Sequence, residues 1–101
     1  MPVRVNIKKN VDYSHGRGPQ MKFYDQPDGK RNICGDRIRE ARQKKRYSQT
    51  DLCRLLHLKG VMVERDVISR MESGSRIVTD FEAVTIADVL GVPVQWLLGR
   101  E

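Results

Sequence analysis

Cysteine is scarce: only Cys34 and Cys53 occur in 101 residues, and they form no CxxC pair. The two histidines, His15 and His57, are isolated, with neither at ligand spacing. Structural zinc usually takes four such ligands. A metal site, a disulfide framework and a Cys/His nucleophile are therefore not expected, and Cys53 reads as a small buried apolar residue. No Ser-His-Asp set, carboxylate pair or P-loop is present, so no catalytic residue and no cofactor is expected. No apolar run approaches the roughly 20 residues that a membrane helix needs. The opening MPVRVNIKKN also lacks the apolar stretch of a signal peptide. A cytoplasmic protein that is not an enzyme is the expectation.

Acid is also in short supply, 13 Asp and Glu against 19 Lys and Arg, for a net charge of +6 and a pI near 9.7. Such a balance points weakly to polyanion partners. Its distribution says more: RIREARQKKR, residues 37–46, holds six of the 19 basic residues and the single acid Glu40. That run is either a solvated helix face or a DNA-contacting one. With 39% apolar residues the chain can bury one small core.

The chain divides near residue 32. Residues 1–32 hold three of the four prolines and three of the eight glycines, with breakers in HGRGPQ and DQPDGKRN. VRVNI alternates Val3, Val5 and Ile7, and MKFY offers Met21 and Phe23, so this arm is either a loose β-hairpin or a flexible basic extension. Residues 33–101 read as five consecutive helices, an all-α bundle. The first runs from about Asp36 to Lys45 with Ile38 and Ala41 inward. The second opens on the capping box Ser48-Gln49-Thr50-Asp51, carries Leu52, Cys53, Leu55 and Leu56, and stops at Gly60. In VMVERDVISRMESG the third turns Val67, Ile68 and Met71 to one side, leaving Arg65, Asp66, Ser69, Arg70 and Ser73 on the other, and ends at Gly74. The fourth starts with the box Thr79-Asp80-Phe81-Glu82 and sends Ala83, Val84, Ala87 and Leu90 inward before Gly91. A short fifth begins at Pro93 and holds Trp96, Leu97 and Leu98.

Three ordered segments carry a resemblance: YSQTDLC from Tyr47, ISRMESG from Ile68 and LGVPVQWLL from Leu90. Together they resemble the Cro/C1-type (XRE-like) helix-turn-helix repressors, with their Ser-Gln-x-x-Leu-Ala, Ile-Ser-x-Ile-Glu-x-Gly and Leu-Gly-Val runs, over about residues 33–99. The resemblance implies a five-helix, lambda-repressor-like fold and a DNA-binding transcriptional regulator, a repressor, whose helix 65–73 enters the major groove. Arg65, Asp66, Ser69 and Arg70 would face base edges. Gln49 would contact a phosphate or brace the recognition helix, Ser73 and Arg76 would meet the DNA backbone, and Lys59 would reach a phosphate from a longer connection after the second helix. The resemblance also pairs Arg42 with Glu72. A symmetric homodimer on double-stranded DNA follows, its contact in the fourth-to-fifth helix region supplied by Trp96 and Leu97, although a tryptophan such as Trp96 is more often core than interface. The alternative is a protein-interaction module, such as an antitoxin or adaptor, that holds a partner through the N-terminal arm.

Two departures from the pattern stand out. The segment between Cys53 and Ile68 is longer by about five residues than the usual tight turn, so HLKGVMVERD either lengthens the second helix or forms a longer loop. Glu64 stands where Ser or Thr is common, and is a poorer N-cap although its charge suits the helix dipole. Asp66 either accepts from a cytosine amino group or orients Arg65 or Arg70.

Overall fold

The computed structural model describes residues 26–100, and these fold into five helices with no strand among them. The strands expected in VRVNI and MKFY, and His15, lie outside the described residues. The helices are α1 Gly35–Lys44, α2 Gln49–Leu58, α3 Arg65–Ser73, α4 Asp80–Leu90 and α5 Val94–Leu97. Their boundaries follow local chemistry. At α2, Ser48 Oγ accepts from the Asp51 amide at 2.9 Å while Asp51 accepts from the Ser48 amide at 2.8 Å. Thr79 and Glu82 repeat the box at α4. Each box satisfies amides that the first turn leaves without partners.

Gly60, at φ +90°, closes α2. Its amide bonds to His57 O and that of Val61 to Leu56 O, the paired bonds of a Schellman stop. The end of α1 has the same pair, from Arg46 to Gln43 and from Tyr47 to Arg42, but the left-handed position is filled by Arg46 at φ +60°.

One core joins all five helices. Ile38 and Ala41 of α1, Leu52, Cys53 and Leu56 of α2, Ile68 and Met71 of α3, Ile86, Ala87 and Leu90 of α4, and Leu97 of α5 are buried in it. Val84 was expected inward and is 48% exposed. The buried stripe of α4 runs Ala83, Ile86, Ala87 and Leu90, at the i, i+3, i+4, i+7 spacing that one helix face permits, and Val84 falls beside it. Leu98 is also partly exposed at the C-cap of α5. Leu97 is fully buried, which removes it from any dimer contact; Phe81, Val84 and Leu98 are the exposed apolar side chains of the α4–α5 region.

The long connection resolves the choice left by the sequence: α2 stops at Leu58, and residues 59–64 form a loop. The loop is not loose, because Val61 and Val63 are buried in the core while Leu58 and Met62 stay exposed.

Residues 26–32 pack back onto the bundle. Asn32 donates through Nδ2 to Met71 O at 2.9 Å and to Arg76 O at 2.7 Å. Its Oδ1 accepts from the amides of Cys34 and Gly35, capping α1. One side chain thus joins the start of α1 to the end of α3. Gly35 makes that approach feasible: a Cβ there would lie 2.7 Å from Glu72 O and also against Met71 O. Burial pushes the neighbouring Cys34 thiol up to about 11.

Candidate nucleic-acid interface

The exposed face of α3 carries Arg65, Asp66, Ser69, Arg70 and Ser73, and its reverse buries Ile68, Met71 and Glu72. A buried acid needs partners. Glu72 has them: Arg42 donates through Nε to Oε2 at 2.7 Å and through Nη2 to Oε1 at 3.0 Å, as a fork. Arg39 Nε lies 3.5 Å from Oε1. The expected Arg42–Glu72 tie between the first and third helices is therefore present, and those hydrogen bonds push the Arg42 guanidinium above its ordinary value.

Gln49 extends the network outward. Its Nε2 donates to Glu72 Oε1 at 3.1 Å, and its Oε1 accepts from Arg65 Nη1 at 3.1 Å. Arg65 on the surface is thus linked through one amide to a carboxylate in the core. Arg70 Nη2 stands 3.5 Å from Asp66 Oδ2, one turn back on the same face. Ser73 Oγ donates to Arg70 O, and Lys59 is exposed at the start of the loop. Arg76 is less available: it forks onto Glu82 at 2.9 and 3.2 Å and donates to Ile77 O.

α3 also lacks a side-chain cap. Glu64 makes no hydrogen bond to the first-turn amides, so its contribution is that of charge alone.

The basic run 37–46 divides in two. Arg39 and Arg42 turn to Glu72, Arg37 lies 4.7 Å over the Trp96 ring and donates to Trp96 O, and Lys44 pairs with Glu40 at 3.6 Å. Much of that positive charge serves the fold, which no charge count along the chain reveals.

A profile of the helix-turn-helix family matches residues 38–97, from the second turn of α1 to the end of α5. The chain belongs to the Cro/C1-type helix-turn-helix family. No curated protein and no solved structure matches it. The function of the Cro/C1-type family is binding DNA. No group of three or more metal-binding side chains occurs among the described residues, and no helix there is long and apolar enough to cross a membrane.

Besides those of Arg37 and Arg76, three contacts of this Cro/C1-type domain were not foreseen. Asn32 caps α1 from beyond the expected domain boundary, although Asn before a helix is itself a capping signal. Arg39 joins Arg42 at Glu72. The third corrects the reading of His57 as isolated: it stands one turn after Cys53, and the two side chains meet at 3.6 Å. Residues i and i+4 share a helix face, which was the available signal.

Proposed function

We propose that the protein is a sequence-specific transcriptional repressor that reads the major groove with α3 as a symmetric dimer and acts by binding, without catalysis. The observation that carries this reading is the exposed polar face of α3, backed by a reverse side locked to α1 and α2 through Glu72. A helix that reads bases must hold its side chains in fixed register, and a locked helix does so.

Arg65 and Arg70 are the main base readers, since a guanidinium grips guanine O6 and N7 through two hydrogen bonds. Ser69 lies between them, and Asp66 positions Arg70 across their 3.5 Å contact. Lys59 and Ser73 flank this face and meet phosphates, with Lys45 and Arg46 adding exposed charge, while Gln49 braces Arg65. Arg76 joins them by exchanging part of its fork to Glu82 for a phosphate. One α3 covers a few base pairs, so two copies about 34 Å apart read successive grooves. Phe81, Val84 and Leu98 supply the dimer contact.

Selection of binding sites from random duplexes by the full chain tests all of this at once. A palindromic consensus, bound less tightly as salt rises with a slope near −0.9 per phosphate contact, is the expected result. Failure to bind any duplex at low salt, together with capture of a protein partner by the full chain, overturns the regulator in favour of an interaction module.

A further inference from the structure

The contact between Cys53 and His57 converges on a third group. Cys53 Sγ donates to the carbonyl of Val63 at 3.0 Å, and His57 Nε2 lies 2.8 Å from the same oxygen. A carbonyl has two lone pairs, so in the Nε2–H tautomer one oxygen accepts both donors. Two side chains and a carbonyl fall short of a zinc ligand set, and their arrangement is that of a latch.

What it latches decides its importance. Val63 is the second residue before Arg65, where α3 begins. Among the described residues, no backbone–backbone hydrogen bond ties Met62 or Val63 to the rest of the fold. Beyond the core contacts of the Val63 side chain, the end of the loop is held by these two bonds to its carbonyl. Glu64 contributes no side-chain cap that would define the start of α3 independently. Val63 and Ile68 occupy the positions of a hydrophobic staple, the device that sets the angle at which a chain joins its helix, and both are buried.

We propose that Cys53 and His57 are positioning residues that determine specificity: by holding the Val63 carbonyl they set the angle at which α3 leaves the loop. This rests on α3 being the reading helix. At 1.5 Å of rise per residue, a swing of about 10° about the start of α3 moves Arg70 by ~1 Å. That displacement spoils a two-bond grip on a base edge while leaving contacts to phosphates, which need only charge and reach.

The test uses the full chain, the duplex it selects from random DNA, and a scrambled duplex of equal length. In the variant carrying both Cys53→Ala and His57→Ala, the affinity ratio between the two duplexes falls at least tenfold. Affinity for the scrambled duplex stays within about twofold. Amide exchange at Val67 and Ile68, which bond to Glu64 O in the first turn, accelerates relative to Leu90 of α4. Cys53→Ser alone keeps a donor and retains most of the ratio. A double variant with the wild-type ratio overturns the proposal. So does exchange that accelerates equally at all three amides, the mark of general destabilisation. If the wild-type chain does not discriminate between duplexes, the functional reading fails first; the latch is then judged by exchange, and unchanged rates at Val67 and Ile68 overturn it.

Discussion

Removing the carboxylate of Glu72 should unfold much of this domain under conditions that leave the wild type intact. The side chain of Glu72 is 0% exposed and that of Arg42 only 11%. Glu72→Ala therefore strands a guanidinium that is nearly out of water, along with the Gln49 amide. Breaking a buried pair from one side costs about 3–5 kcal/mol, against about 5–15 kcal/mol for a whole domain. Each kcal/mol moves the midpoint of a domain this size by about 4–8 °C, so thermal unfolding followed by circular dichroism should fall by at least ~12 °C. Replacing both partners, with Arg42→Met and Glu72→Met together, should recover most of that loss, because packed apolar groups replace a buried pair at little net cost. A loss below ~1 kcal/mol for Glu72→Ala, the range of exposed pairs, would refute the reasoning.

Gly35→Ala should destabilise by about 1–3 kcal/mol in urea titrations, since the added Cβ meets backbone oxygen of Met71 and Glu72, which cannot turn aside as a side chain can; wild-type stability would show that α1 can back away from α3. Acid stability depends on Glu82. Burial pushes its carboxyl up, but hydrogen bonds from Arg76 and the Thr79 backbone outweigh that and hold it below the usual range. A depressed carboxylate contributes stability above its unfolded value near about 4.3 and loses it as pH falls through the lower folded value. Arg76→Gln should thus shift the midpoint of acid unfolding to higher pH, and an unmoved midpoint would discount the pair. Arg70→Ala should remove ~1–3 kcal/mol of discrimination at one base position. Asp66→Ala should then add less in that background than in the wild type, by at least ~0.5 kcal/mol; additive effects would give Asp66 an independent role.

What could be read along the chain was what is decided within a turn or two. The boxes at Ser48 and Thr79, the stops at Gly60, Gly74 and Gly91, and the two faces of α3 depend on neighbours three or four residues away, and α2, α3 and α4 followed from them, as α1 did from Ile38 and Ala41 and α5 from Pro93. The misreadings have a different origin. Val84 is apolar and adjacent to a buried position, and only the packing of α4 against its neighbours shows which stripe of an apolar helix turns inward. Arg37 and Arg39 look alike in a basic run, yet the fold lays Arg37 over the Trp96 ring and brings Arg39, itself still 46% exposed, to 3.5 Å from Glu72. Asn32 was assigned to the arm because breakers surround it, whereas its partners are the carbonyls of Met71 and Arg76 some forty residues on. Cys53 reads along the chain as a small buried apolar residue and His57 as isolated, and their shared partner is a carbonyl in the loop that makes this chain longer than its family pattern.

Within the proposed function, the two acids at the start of α3 act differently. Glu64 favours the helix dipole by about 0.3–1 kcal/mol and repels a nearby phosphate by a comparable amount once salt screens it. It therefore shifts affinity for all DNA alike. Asp66 and Gln49 act on the arginines themselves, because Arg70 and Arg65 each face a partner before any base arrives. An exposed ion pair such as Asp66–Arg70 is worth about 0–1 kcal/mol, whereas two well-aligned bonds to guanine give ~1–3 kcal/mol of discrimination. A correct base outbids the partner on the protein, and a base that offers one poor acceptor does not. Within the proposed reading, then, the acid beside Arg70 lowers binding to wrong sites more than to right ones, and an acidic residue on a DNA-reading face becomes a source of specificity.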